Sequence, residues 1–430
     1  MTITVIGHGY VGLVTACVLA DFGNHVWVIG HTKEKIALLK SGDPIIYEPG
    51  LKELLQKNIE AKRISFTMDY EKAIPESEIV FITVGTPPKE TGEADLTAVI
   101  DVARNIGKNL KSKFTVVSCK STVPVGTNKK IEVIINRHKS KQVDFAVASC
   151  PEFLREGTAI SDTINADRVV IGSDNKHAVE KLVMLHKPIN GKRIITNLAS
   201  AEMIKYASNV FLANKISFAN LISFYCEKSG ANVNEVLTGV GIDARIGNQF
   251  LSPGLGYGGS CLPKDVKAFL DIGKRLSVDT QLLSAIENIN TKAQENFLKK
   301  ILSNTPGKKV AIWGLSFKPN TDDIRFAPSV YLIEKLLENG FQISTYDQEA
   351  TNNIKKIFAN KISYSKDPYQ AVSKVDALIV VTEWNEFKQI DLNRVKKLMK
   401  NPTIFDGRNI YDPADLKKMG FKYYSIGRPQ

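Results

Sequence analysis

The chain has 430 residues, 43% hydrophobic and 24% charged, and a formal net charge of +12. It is too long for one hydrophobic core, so two or three domains are expected, and its composition excludes a disordered or fibrous protein. No apolar run approaches a membrane span, and the N-terminus enters a strand at once, without a signal-peptide layout. The lysines are scattered (33–40, 108–113, 396–400) rather than set in one stripe with aromatics, so they read as solvated helix faces or as suiting an anionic small molecule, not nucleic acid.

Residues Thr2–Ile6 form an apolar run, followed by Gly7-His8-Gly9-Tyr10-Val11-Gly12 and the small, apolar segment Leu13–Ala20. Strand, glycine turn and helix in this order are the dinucleotide-binding fingerprint in its proper context. Gly7 is expected to make the turn, Gly9 to let backbone approach a pyrophosphate, and Gly12 to let helix and strand pack closely. Further strands are expected at His25–Ile29, Ile79–Val84, Thr115–Cys119, Phe145–Ala148 and Arg168–Ile171, alternating with charged, helix-like segments. Such alternation predicts a parallel, doubly wound sheet. Three loops, Thr83–Pro87, Lys120–Pro124 and Pro151–Glu156, then fall at carboxyl ends of strands, where ligands of such folds bind.

From about Ala199 to Ser229 the pattern predicts a long helix, with Lys205 and Asn209 one turn apart among small residues. That pair suits a site better than solvent. The stretch Gly256–Asp265 (GYGGSCLPKD) sets Cys261 after a glycine turn and at the mouth of a helix, with Lys264 and Asp265 following. A thiol at a helix N-terminus beside a cation tends toward the thiolate, its nucleophilic form. A buried, inert cysteine is the plainer reading of an isolated thiol, and the glycines, helix start and charges favour the reactive one. The five cysteines are far apart with no CxxC, which favours a reduced, cytosolic protein, and the six histidines lack metal-ligand spacing.

After Pro306-Gly307 the first pattern returns. Val310–Leu315, Gln342–Tyr346, Asp376–Thr382 and Pro402–Asp406 echo the first four strands. The expected fold is therefore α/β: two Rossmann-like, doubly wound parallel-sheet domains joined by a long central helix and a helical middle. The expected boundaries are 1–198 for dinucleotide binding, 199–304 for the central, dimerising domain with Cys261, and 305–430 for a second α/β domain. Lys318 and Arg325 in the latter could hold a diphosphate, or could pair with nearby acids such as Asp322 or Asp323.

GxGYVG, VGTP, KSTVP, PEFLREG, the Lys205/Asn209 helix, Ile242–Gly247, GYGGSCLPKD, Phe317–Asp322 and Arg408-Asn-Ile, in this order, resemble the UDP-sugar and GDP-sugar 6-dehydrogenases, most closely the UDP-glucose dehydrogenases. The resemblance runs from residue 1 to about 427. It implies oxidation of a sugar CH2OH to carboxylate, UDP-glucose to UDP-glucuronate, with two NAD+ used in succession. Cys261 would add to the intermediate aldehyde as a thiohemiacetal, and the second oxidation would give a thioester that water hydrolyses. Lys205 and Asn209 would stabilise oxyanions, Asp265 would orient water, Glu152 would be the acid/base of hydrolysis, and Thr122 would position that water. Cofactor contacts are implied at Gly7, Gly9, Tyr10, Val11, Gly12, Gly30, Lys35, Thr83, Thr122, Glu156, Lys264 and Arg325. Substrate contacts are implied at Glu152, Phe153, Leu154, Arg155, Glu156, Lys205, Asn209, Phe250, Leu251, Ser252, Pro253, Gly254, Tyr257, Gly258, Phe317, Lys318 and Arg408. Arg245 resembles an arginine that reaches a partner's substrate, which implies a homodimer. GDP-mannose and UDP-N-acetylhexosamines stay open as substrates, though Ser260 before Cys261 resembles the UDP-glucose and GDP-mannose enzymes rather than the acetamido-sugar ones, which more often carry His there.

The chain departs from the pattern where an acid should end the second strand and bind the ribose hydroxyls. Gly30 stands there, followed by His31, Thr32 and Lys33. NAD is expected from the resemblance, while this turn could accept NADP+ or bind NAD+ less tightly. Cys150 replaces the usual Asn before Pro151. A non-catalytic nucleotide-sugar sensor and a two-electron hydroxyacid dehydrogenase are the competing readings; the intact Cys261, Lys205, Asn209, Asp265 and Glu152 argue against the first.

Overall fold

A computed structural model describes residues 1–111 and 114–429; the lysine run 108–113 and the expected last domain each end on residues outside these. The chain divides into two compact units. Unit 1 holds Met1–Ser208 with Lys267–Ile272, and unit 2 holds Asn209–Val266 with Gly273–Gln430.

Unit 1 is built on eight strands: β1 (Thr2–Ile6), β2 (His25–Ile29), β3 (Ile64–Thr67), β4 (Ile79–Ile82), β5 (Thr115–Cys119), β6 (Phe145–Ser149), β7 (Arg168–Gly172) and β8 (Lys192–Thr196). Their order in the sheet is β3-β2-β1-β4-β5-β6-β7-β8. The first six follow the 3-2-1-4-5-6 order of a dinucleotide-binding fold, and all pair in parallel. β7 meets β6 antiparallel, through Ser149 and Gly172, and β8 then runs parallel to β7. The wholly parallel sheet expected from the alternation therefore ends at β6.

Period-two alternation explains why the central strands β1 and β4 bury residues at successive positions. Ile3, Val5, Ile79 and Phe81 enter one core cluster, while Ile6, Val80 and Ile82 enter another on the opposite face. A sheet covered on both faces has no polar side to show. The helix Tyr10–Asp21 is likewise buried from Gly12 to Ala20, so it lacks a polar stripe.

Unit 2 repeats the plan with six parallel strands: β9 (Lys309–Trp313), β10 (Gln342–Tyr346), β11 (Ser363–Tyr364), β12 (Ala377–Val380), β13 (Thr403–Asp406) and β14 (Lys422–Tyr424). Their order is β11-β10-β9-β12-β13-β14, the 3-2-1-4-5-6 order again. Local detail repeats too. Gly7 and Gly314 both have positive φ, and a Cβ on either would strike a threonine after the central neighbour strand, Thr83 at 2.8 Å and Thr382 at 2.4 Å.

The helix Leu198–Ser229 has 32 residues, about 48 Å at 1.5 Å per residue. The division between units falls within it, after Ser208. The helix Leu262–Arg275 opens in unit 2, just after Cys261. No described helix is long and apolar enough to cross a membrane.

Candidate active site

In unit 1, β1, β2, β4, β5 and β6 are parallel, so the loops after them leave the same edge of the sheet. At the switch between β1 and β4 the three glycines of the first turn divide their work. A Cβ on Gly7 would lie 2.8 Å from the Thr83 carbonyl, and one on Gly12 would lie 2.1 Å from the Gly7 carbonyl. A Cβ on Gly9 would meet nothing within 4 Å. Gly7 and Gly12 are thus fixed by packing, while Gly9 leaves open room in front of the helix N-terminus, where a pyrophosphate fits. Thr83 donates its hydroxyl to the Ile6 carbonyl at 2.9 Å and so ties the two central loops together. Thr86 donates to the Thr122 carbonyl at 2.8 Å, joining the next two. The Tyr10 hydroxyl bonds the Glu48 carboxylate, which accepts from the Gly157 and Ala159 amides at 2.6 Å each. Nothing in the sequence singled out Glu48: it lies far from any motif and acts through this pairing.

Glu152 and Lys205 come together in unit 1. Their Oε1 and Nζ are 3.0 Å apart, and both side chains are more than nine-tenths buried. Glu152 also accepts from the Leu154 amide at 2.8 Å. Phe153 lies between cations, with Lys205 Nζ 5.2 Å and the Arg168 guanidinium 3.9 Å from its ring centre. Glu156 is buried, whereas Arg155 forms a two-pronged pair with Asp162 and stays largely exposed. Behind Glu152, Lys120 donates to the Cys150 carbonyl at 3.3 Å, and Cys150 Sγ lies 3.9 Å from His186 Nε2. Burial pushes the Cys150 thiol up, which favours its neutral form. Burial also holds the His186 pKa down at about 3, with Lys120 adding to the effect.

Unit 2 carries the thiol. Cys261 is half-buried, and its carbonyl accepts the Asp265 amide at 3.0 Å as the first bond of the helix. Asp265 is 1% exposed and receives both the Asn209 amide group and the Lys264 ammonium. The thiol therefore sits one turn from a carboxylate that accepts one bond on each oxygen and keeps acceptor capacity for a water. The preceding loop is held by close packing. Gly256 is left-handed and leaves no room for a Cβ, which would lie 2.4 Å from Asn290 Oδ1; that same amide brackets the Tyr257 N–H at 2.7 Å. A Cβ on Gly258 would lie 2.4 Å from the Phe326 carbonyl. The Tyr257 hydroxyl is buried with no partner among the described residues.

Of the expected substrate contacts in this unit, Phe250 adopts positive φ, Leu251, Pro253 and Gly254 are buried, and Ser252 is exposed. The Gly254 amide donates to Asn220 at 2.8 Å. Arg408 donates to the Val381 and Phe317 carbonyls, which aims its guanidinium beside Gly254. Lys318 lies 5.6 Å from the Phe317 ring. Arg325 pairs two-pronged with Asp323. Arg245 is 88% exposed and chelates Asp243. Asp347, which ends β10 as the missing acid should end β2, is turned inward onto the Leu315 amide at 2.6 Å and the Trp384 indole at 3.1 Å. It serves the fold and offers no ribose contact.

An open glycine cradle at the switch point of a 3-2-1-4-5-6 sheet defines unit 1 as a dinucleotide-binding domain. Three models of the UDP-glucose/GDP-mannose dehydrogenase family match in succession: the NAD binding domain over residues 1–190, the central domain over 199–292 and the UDP binding domain over 311–413. The chain belongs to that family. It is 45% identical to the UDP-glucose 6-dehydrogenase YwqF of Bacillus subtilis, over 100% of this chain and 98% of that protein. It is 44% identical to the UDP-glucose 6-dehydrogenase TuaD of the same organism, over 99% and 93%. Among solved structures, a UDP-glucose dehydrogenase from Pyrobaculum islandicum matches with a TM-score of 0.91 at 34% identity, over 98% of this chain and 96% of that one.

Proposed function

We propose that this chain oxidises UDP-glucose to UDP-glucuronate in two steps. The observation that carries the reading is the placement of Cys261 at a helix mouth, one turn from a buried Asp265 locked by Asn209 and Lys264. The full-length likeness to proteins named UDP-glucose 6-dehydrogenases supports the sugar. NAD+, held by the turn Gly7–Gly12 and the loop at Thr83, would take up a hydride in each oxidation.

In this reading Cys261, as thiolate, adds to the C6 aldehyde and gives a thiohemiacetal whose oxyanion Lys205 and Asn209 stabilise. Loss of hydride from that carbon leaves a thioester. Water, oriented by Asp265 and Thr122 and deprotonated by Glu152, then displaces the thiolate and gives the carboxylate. Covalent attachment retains the aldehyde while the cofactor is exchanged. The uridine diphosphate would be held by the loop 250–258 with Lys318 and Arg408. A homodimer is part of the reading: Phe211, Phe218 and Tyr225 are 63%, 43% and 67% exposed at heptad spacing on one helix, a stripe suited to a second copy. A cytoplasmic setting is supported by Cys17, Cys119, Cys150 and Cys226, buried without disulfides.

The test counts reduced cofactor per UDP-glucose consumed. Two equivalents with UDP-glucuronate as product are expected. One equivalent with an aldehyde or ketone product would sink the reading, and turnover of GDP-mannose alone would move it to the other sugar.

A further inference from the structure

The corner that should bind the adenosine ribose lacks its usual acid. Gly30 follows β2, and the missing acid cannot simply be restored. A Cβ there would lie 2.6 Å from Ile36 Cδ1 and 2.9 Å from His8 Nδ1. His8, the middle residue of the glycine turn, therefore covers the place of the carboxylate. It is 4% exposed, and its Nδ1 faces Gly30 with no hydrogen-bond partner among the described residues. A buried, unpartnered ring nitrogen is costly unless something else satisfies it.

The surroundings are cationic. The His31 ring packs edge-on against His8 at 5.0 Å. The pKa of His8 is held down by burial first and then by the charges of His31 and Lys35. Lys33, Lys35 and Lys40 form no ion pair among the described residues. Thr32 leads into the helix Lys33–Lys40 without a side-chain capping bond, so the first amides of that helix stay available to an anion. Two carboxylates stand against these cations: Glu34, in the first turn of the same helix, and Asp69, which accepts from the Glu71 amide. Beside the corner is a hollow of about 510 Å3, lined by Lys33, Ile36, Lys40, Thr67 and Asp69, with room for an adenine.

We infer that His8, His31, Lys35 and the helix start at Thr32–Lys33 form a seat for a phosphate on the ribose 2′-oxygen, so that NADP+ binds at least as tightly as NAD+. Turning of the His8 ring toward the ribose would give its unpartnered nitrogen to a phosphate oxygen, and the ammonium groups would offset the phosphate charge. In ordinary members of such folds the acid at this position accepts from the ribose hydroxyl and repels a 2′-phosphate. Here both effects are gone and the sign of the local charge is reversed. The inference rests on the dinucleotide-binding domain and deepens the proposed function; it does not depend on which sugar is oxidised.

Calorimetric titration of the full chain without sugar nucleotide tests it, with NAD+, NADP+, 5′-AMP and adenosine 2′,5′-bisphosphate as ligands. The expected result is an NADP+ Kd equal to or below that of NAD+, with the bisphosphate bound about tenfold tighter than AMP. Raising salt from about 50 to about 300 mM should weaken NADP+ more than NAD+. Lys33→Ala/Lys35→Ala should lower the NADP+ to NAD+ affinity ratio about tenfold, and His8→Thr/Gly30→Asp should reverse the preference. An NADP+ Kd above that of NAD+ in the unaltered chain, or a bisphosphate no tighter than AMP, would overturn the inference. Because the readout is binding, a failure to oxidise UDP-glucose would leave this result standing.

Discussion

At the scale of single residues, the glycine turn separates what the fold needs from what a ligand needs. Gly9→Ala places a methyl where nothing lies within 4 Å, at a φ of −78° that any residue accepts. It should therefore leave the melting temperature near that of the parent while weakening dinucleotide binding about tenfold or more, because the methyl stands where the pyrophosphate must approach. Gly12→Ala forces a methyl to 2.1 Å from a backbone carbonyl that cannot move cheaply, and should destabilise unit 1 by about 1–3 kcal/mol. Parallel thermal melts and NAD+ titrations would check the contrast; equal effects of both changes would contradict it. Cys261→Ser keeps a hydroxyl at the helix mouth but loses the thiolate. Complete four-electron turnover should fall by about 10³-fold or more, with less than two reduced cofactors per sugar. Rapid-quench analysis would check this, and a serine variant with two equivalents at an ordinary rate would rule out the covalent scheme.

At the scale of elements, the sequence was most informative where a strand is covered on both faces. β1, β2 and β10 read correctly to the residue: β1 and β2 are rich in buried aliphatic side chains, and β10 places β-branched and aromatic residues where the second domain repeats the pattern of the first. The edge strands β3, β8, β11 and β14 gave no such signal. β8 is mostly exposed, and β11 has two residues. The site was legible where glycine, cysteine and charge fall at fixed spacing. It was hidden where function comes from a contact across the fold, as with Glu48 on Gly157, Asn290 on Tyr257, or His8 over Gly30. Behind β6, His186 offers a pH test at this scale. Its folded pKa near 3 is below the usual 6.5, so between these values only the unfolded chain carries the proton. Stability is therefore full above about pH 6.5 and is lost as pH falls. At pH 5 the loss approaches about 2 kcal/mol, from 1.36 kcal/mol per unit. His186→Gln removes the titration, so parent and variant should differ least in their relative stability loss above pH 7. The parent should lose more on going to pH 5. Paired chemical denaturation at the two pH values would show it, and identical pH slopes would refute the buried neutral histidine.

At the scale of the whole molecule, Arg245 is the residue through which the proposed homodimer can be tested. It is 88% exposed, paired with Asp243 alone among the described residues, and too solvated for that pair to stabilise the fold much. In the proposed dimer it would reach the partner's substrate, while Cys261 would serve its own. That arrangement makes a prediction no monomer can meet. Cys261→Ser and Arg245→Ala should each lose turnover as separate homodimers. Co-refolded in equal amounts they should recover about a quarter of the parent's sites, since half the dimers are mixed and each mixed dimer has one site with both groups intact. Phe218→Glu, placed in the exposed aromatic stripe, should shift the sedimentation of the parent toward a single chain and abolish the recovery. If the mixture shows no more activity than the sum of its parts while remaining dimeric, Arg245 acts within its own chain or not at all.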